Sequence, residues 1–166
     1  MKNNTIVFKG DLSWSDFEKV SEILDRKENV TIYLFSNGGP VNVGMSLLDL
    51  INRPNNRDHV TIAGGSLNSV CFDLFFKAKC NRYILVFADG MYHQTKVDIA
   101  INEDGRPTYH SGVHNLSWIK SMHPETLRVA TTLKFSDIEM RKLKRGDDLF
   151  FLHDRLVEFL KLSNNL

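Results

Sequence analysis

The chain has 166 residues, 42% of them hydrophobic, and 21 basic against 20 acidic side chains leave a formal charge of +1. That length suits one domain whose core needs no staple, the hydrophobic content excludes disorder as the overall state, and the balanced charge supplies no global field for nucleic acid or an anionic membrane. Two cysteines, Cys71 and Cys80, lack ligand spacing, and no apolar run reaches the length of a membrane span, so buried thiols in a cytoplasmic protein without a cofactor or metal are expected.

Thr5 to Lys9 predicts a strand ending at Gly10, and Ser15 with Glu18 three residues on predicts a capping box opening a helix toward Leu24. Val30 to Phe35 is β-branched and aromatic, Gly44 to Ile51 is helical in character, His59 to Ala63 is again a strand, and Val70 to Phe76 suits a buried helix. Strands alternating with helices imply a mostly parallel sheet of βαβ units. Arg82 to Phe87 and Met91 to His93 resume the strand pattern on either side of a turn at Asp89-Gly90. Val97 to Asn102 and Pro107 to Ser111 form a hairpin around the polar tip Glu103 to Arg106. Val113 to Leu143 favours helix, interrupted at His123-Pro124, with a capping box at Ser136 and Glu139 and a stop at Gly146. The Lys142, Lys144 and Arg145 cluster reads as the solvated end of that helix. Leu149 to Leu152 is a short strand, and Asp154 is expected to cap a last helix carrying Leu156, Val157, Phe159 and Leu160.

Three segments carry chemistry. Ser36-Asn37-Gly38-Gly39-Pro40 lies between a strand and a helix, where glycines allow amide hydrogens to face a ligand oxygen, although such a pair is also an ordinary tight turn. Gly64 to Ser69 follows the third strand and places the Ser69 hydroxyl at the start of a buried helix, in the field of its amides; the plain alternative is that Ser69 caps that helix. Met91-Tyr92-His93-Gln94 ends a strand that parallel topology brings to the same sheet edge, and histidine is the usual base for a serine hydroxyl. The remaining histidines, His59, His110, His114, His123 and His153, have no paired metal-ligand spacing.

The order of these motifs resembles the proteolytic subunit of the ClpP family, within the ClpP/crotonase superfamily, in which a Ser-Pro-Gly-Gly turn precedes a Gly-led loop bearing the nucleophile and a strand ending Met-Ile-His-Gln. The resemblance spans about residues 6 to 162. It implies an α/β ClpP/crotonase fold of repeated ββα-type units, as a single domain with a divergent helical and hairpin handle at about 95–145. It further implies a catalytic triad of Ser69, His93 and Asp147, with Asp148 as the adjacent alternative acid. By the same likeness the backbone amides of Gly39 and Val70 form the oxyanion hole. The chain departs from the family at Asn37, at the bulky Leu67, Asn68, Val70, Cys71 and Phe72 around the serine, and after His93, where Thr95, Lys96 and the hairpin replace a Gly-rich segment. The short N-terminal segment also lacks the family's pore loops, which bears on docking of an ATP-dependent unfoldase.

The activity implied by the resemblance is that of a serine endopeptidase acting on extended polypeptide, self-associated through apolar helix surface at Trp118, Ile119 and Leu133; the alternative is that those residues form the domain's own core. A catalytically inactive scaffold or assembly partner of the same fold is the alternative, and a crotonase-like enzyme acting on acyl-CoA is the third reading. A Ser-Lys dyad through Lys96 or Lys77 is made unnecessary by His93.

Overall fold

The computed structural model describes residues 2–94, 98–101, 107–110 and 122–166. The chain divides into two compact units, Met1–Tyr92 with Phe150–Leu166, and His93–Leu149.

The first unit is built on a sheet of β1 (Asn3–Asp11), β2 (Asn29–Gly38), β3 (Val60–Asn68), β4 (Asn81–Tyr92) and β7 (Leu149–Leu152), in the order β1-β2-β3-β4-β7. The pairings β1 with β2, β2 with β3 and β3 with β4 are all parallel, so the strands end at one edge, where Asp11 is level with Gly38 and Asn68 with Met91. Between them run α1 (Trp14–Asp25), α2 (Val41–Asn52) and α3 (Val70–Lys77), and α6 (His153–Leu162) follows β7. Alternation sets the faces: Phe8, Ile32, Leu34 and Ile62 are buried in the core, whereas Val7, Phe35 and Tyr83 on the opposite parity are exposed.

The helix α3 differs from the others because seven of its eight residues are buried, which is the pattern of a helix enclosed on all sides. Phe72 is the hub of an aromatic cluster, its ring centroid 4.5 Å from that of Phe76, 4.8 Å from Tyr92 and 5.9 Å from Phe151. Phe159 of α6 meets Phe76 and Phe151 edge-on. The C-terminal end of α3 is tied by Arg82, whose Nη1 donates to the carbonyls of Phe75 and Phe76 at 3.1 and 2.7 Å and to Ser163 Oγ at 3.1 Å. A cation there also meets the negative end of the helix dipole.

Several local expectations are corrected. The box that opens α1 is Ser13 with Asp16: Ser13 Oγ accepts from the Asp16 amide, and the Asp16 carboxylate accepts from the Ser13 amide at 3.0 Å. β3 does not stop at Ala63 but continues through Gly64 and Gly65, where an added Cβ would lie 2.9 Å from the Phe75 ring and 2.2 Å from the Phe35 ring. Asp89 and Gly90 are not a turn; they pair with Ser66 and Leu67 inside β4. The interruption lies just before them, where β3 advances from Gly64 to Ser66 while β4 advances from Ile84 to Asp89, a bulge that pushes Val86 and Phe87 into solvent. Asp154 sits in the first turn of α6, with Leu152 at the cap position.

In the second unit, β5 (Asp98–Ile101) and β6 (Pro107–His110) pair antiparallel with Asp98 opposite His110, so the expected hairpin is present, and its tip lies outside the described residues. α4 (Pro124–Thr132) starts with Pro124 at N1 behind His123, and α5 (Asp137–Arg145) starts on the Ser136–Glu139 box and ends at Gly146 with φ 84°. Leu133 is fully buried, which fits the domain-core alternative for this residue, while Trp118 and Ile119 lie outside the described residues. Among the described residues no helix is long and apolar enough to cross a membrane.

Candidate active site

Ser69 joins β3 to α3 with φ 55° and ψ −125°, a left-handed conformation that is rare for a residue with a side chain and costs about 1–3 kcal/mol. The serine occupies the N-cap position, yet its side chain makes no capping hydrogen bond. A serine that merely caps takes extended dihedrals and bonds its hydroxyl to the first turn, so capping does not account for this residue. Two backbone bonds help to hold it: the Ser69 amide donates to the Met91 carbonyl at 2.8 Å, and the Ser69 carbonyl accepts from the Phe72 amide at 3.0 Å. The resulting turn resembles the sharp strand-to-helix elbow on which hydrolases present a nucleophile.

The glycine turn lies directly against this elbow. Gly38 has φ 115°, and a Cβ added there would come within 2.7 Å of Ser69 Cβ and 3.2 Å of Ser69 Oγ. Gly39 has φ 129°, and its added Cβ would strike the Leu12 amide nitrogen at 2.8 Å. Glycine is required at both positions by dihedral and by space. The Leu12 amide donates to the Gly38 carbonyl at 2.8 Å, and Ser36, fully buried, accepts from the Gly38 amide at 3.1 Å. Val70, the first residue of α3, has an amide of the kind a helix leaves without an intrahelical acceptor.

Most of the bulky neighbours of Ser69 belong to the core, and Asn68 is half-buried. Leu67, Val70, Cys71 and Phe72 are all buried, while Ser69 itself is half-exposed. Burial pushes the Cys71 thiol up to about 12, which removes it as a competing nucleophile at neutral pH.

His93 and Asp147 belong to the second unit. His93 is half-buried and its Nδ1 is shielded from solvent; it follows by two residues the Met91 carbonyl that binds the Ser69 amide. Asp147 follows Gly146 in a Schellman turn, its amide donating to the Lys142 carbonyl at 3.1 Å while the Gly146 amide donates to Leu143 at 3.0 Å. Its carboxylate is paired with Arg145, whose Nε and Nη2 both donate to Oδ2 at 3.2 and 2.7 Å. Asp148 is exposed. The first unit therefore unites Gly38, Gly39, Ser69, Val70 and Met91. Sequence reasoning named Ser36 only as the residue that opens the Gly-Gly motif, and it missed both the bonds by which Ser36 holds the glycine turn and the part of Leu12.

Among the described residues no group of three or more His, Cys, Asp or Glu side chains is placed to hold a metal ion. No curated protein matches the chain. The family model described as Clp protease matches residues 3–140, which takes in the glycine turn, Ser69 and His93 and stops short of Asp147. A parallel α/β sheet with that match over most of its length establishes that the chain belongs to the Clp protease family, a family of peptidases.

Proposed function

We propose that the chain is a serine endopeptidase that cleaves extended polypeptide with Ser69 as nucleophile, His93 as general base and Asp147 as the acid that orients it. The observation that carries the reading is the strained, non-capping backbone of Ser69 packed against Gly38. In this mechanism His93 takes the Ser69 hydroxyl proton as Oγ bonds to the peptide carbonyl carbon, and the carbonyl oxygen becomes an oxyanion facing the amides of Gly39 and Val70. The tetrahedral adduct collapses as His93 passes the proton to the leaving amine. Water, deprotonated by the same imidazole, then releases the acyl group and restores the serine.

Self-association and action in the cytoplasm complete the proposal. Support for assembly comes from apolar side chains left in solvent along β4 and β7, with Phe87 96% exposed and Phe150 78%. An ATP-dependent unfoldase is the family's usual companion, and its use here is part of the proposal.

A non-catalytic scaffold is the second reading, favoured by the Arg145 pair that occupies Asp147. A fluorophosphonate probe separates the two. The peptidase reading expects labelling of folded wild type at Ser69, loss in Ser69→Ala, strong slowing in His93→Ala, and slowing in Asp147→Asn but not Asp148→Asn. Labelling that persists in Ser69→Ala overturns the assignment, and folded protein inert to probe and peptides favours the scaffold.

A further inference from the structure

We infer that the Ser36 hydroxyl is a positioning group that aims the Gly39 amide at the oxyanion; the inference rests on the serine peptidase reading. Ser36 lies two residues before the end of β2, level with Gly10 of β1, and has no solvent exposure. Its Oγ lies 2.6 Å from the Gly10 carbonyl, 3.1 Å from the Gly38 amide and 3.2 Å from the Gly38 carbonyl. A hydroxyl has one proton, so the shorter contact takes it: Ser36 donates to Gly10 and accepts from the Gly38 amide. The side chain thereby ties the start of the glycine turn to the neighbouring strand.

The other side of the turn is fixed by the Leu12 amide on the Gly38 carbonyl at 2.8 Å. That carbonyl and the Gly39 N–H belong to one peptide unit, which is planar and trans, so the two groups point in opposite directions. Holding the Gly38 carbonyl toward Leu12 turns the Gly39 N–H away from it. Gly38 and Gly39 have no side chains to resist a peptide flip, and their own dihedrals at φ 115° and 129° are open to glycine in either sense. The aim of the Gly39 donor is therefore set from outside, by Leu12 on the carbonyl and by Ser36 on the preceding amide. Ser36 contributes no proton to the chemistry and touches no substrate.

The test compares intact wild type, Ser36→Ala and Ser36→Thr, with probe-labelled sites counted after complete fluorophosphonate reaction and turnover measured on one fluorogenic peptide. Turnover per labelled site is expected to fall about tenfold or more in Ser36→Ala with KM within about twofold, because the lost alignment matters only once charge develops on oxygen. Ser36→Thr, which restores the hydroxyl, is expected to recover most of it. A purely structural role lowers the number of labelled sites and leaves turnover per site intact, and that result overturns the inference while the peptidase reading stands. Wild type that takes up no probe overturns both. If the alanine variant does not fold, amide exchange in wild type decides: the Gly38 amide is expected to exchange only through global opening, and exchange as fast as an exposed turn overturns the clamp.

Discussion

Replacing Ser69 by glycine is expected to remove the chemistry and make the protein more stable than the alanine variant. At φ 55° and ψ −125° any residue with a Cβ pays a steric penalty, about 1–3 kcal/mol, and alanine retains that Cβ while glycine does not. Against this gain stands the greater freedom of glycine in the unfolded chain, about 0.5–1 kcal/mol. The difference leaves Ser69→Gly ahead of Ser69→Ala by about 1 kcal/mol. For a chain of 166 residues that corresponds to a rise of about 2–4 °C in Tm. Thermal or urea unfolding of both variants at one protein concentration measures it, since assembly makes Tm concentration-dependent. A glycine variant less stable than alanine would refute the reasoning, because it would mean that the elbow is relaxed and that Ser69 is not held against its preference.

Gly38→Ala drives a Cβ to 2.7 Å from Ser69 Cβ at a φ unsuited to alanine, so a loss of about 2 kcal/mol or more is expected together with loss of probe labelling; wild-type labelling in this variant contradicts the contact. Gly44→Ala in α2 brings a methyl to 2.3 Å from Val70 Cγ2, and the stiff valine cannot yield, so the single substitution destabilises by about 1–3 kcal/mol despite alanine's better helix propensity. Adding Val70→Ala opens the space, and a double-mutant cycle in urea is expected to return a coupling of about 1 kcal/mol, with simple additivity the refuting result. Cys71 gives a pH prediction: its thiol ionises near 9.0 when unfolded and is pushed up to about 12 in the fold by burial. Between those values the unfolded state has lost a proton that the native state keeps, so stability contributed by the neutral thiol is complete below pH 9 and falls as pH rises, by up to ~1.4 kcal/mol per unit. Cys71→Ala is expected to show a shallower decline between pH 9 and 11, and parallel curves contradict the burial.

Apolar periodicity sufficed to place β1, β2, the first part of β4, α1 and α2, where one face is buried and the periods of 2 and 3.6 record it, whereas the start of β3 and α3 were legible as short continuous apolar runs. The extension of β3 through Gly64 and Gly65 was missed because glycine has no side chain to alternate; what it marks is the close approach of the Phe75 and Phe35 rings. Asp89-Gly90 reads locally as a turn, and only the pairing with Ser66 and Leu67 makes it strand, a fact of register between distant segments. At α1, Ser13-Asp16 and Ser15-Glu18 are overlapping versions of one signal, and the helix adopts the earlier. Of the candidate site, motif order singled out the glycine turn and Ser69, which the fold packs against each other. The role of Ser36 was not legible, since its partner Gly10 lies 26 residues away and the spacing says nothing of where a hydroxyl points.

The strain at Ser69 connects core packing to the proposed chemistry. A left-handed serine persists only where its surroundings leave no relaxed alternative, and here those surroundings can be named. The Met91 carbonyl holds its amide, Gly38 closes one side, and Val70 is wedged into the space that Gly44 leaves in α2. Behind Val70, the enclosed α3 is anchored by the Phe72 cluster and by Arg82 on its last carbonyls. The bulky residues that distinguish this chain from its family near Ser69 thus fill the core side of the elbow and hold α3 in place from behind. Relaxing Ser69 to ordinary dihedrals requires α3 to rotate or withdraw, which opens cavities around Phe72 and Phe76 at several kcal/mol, more than the strain it would relieve.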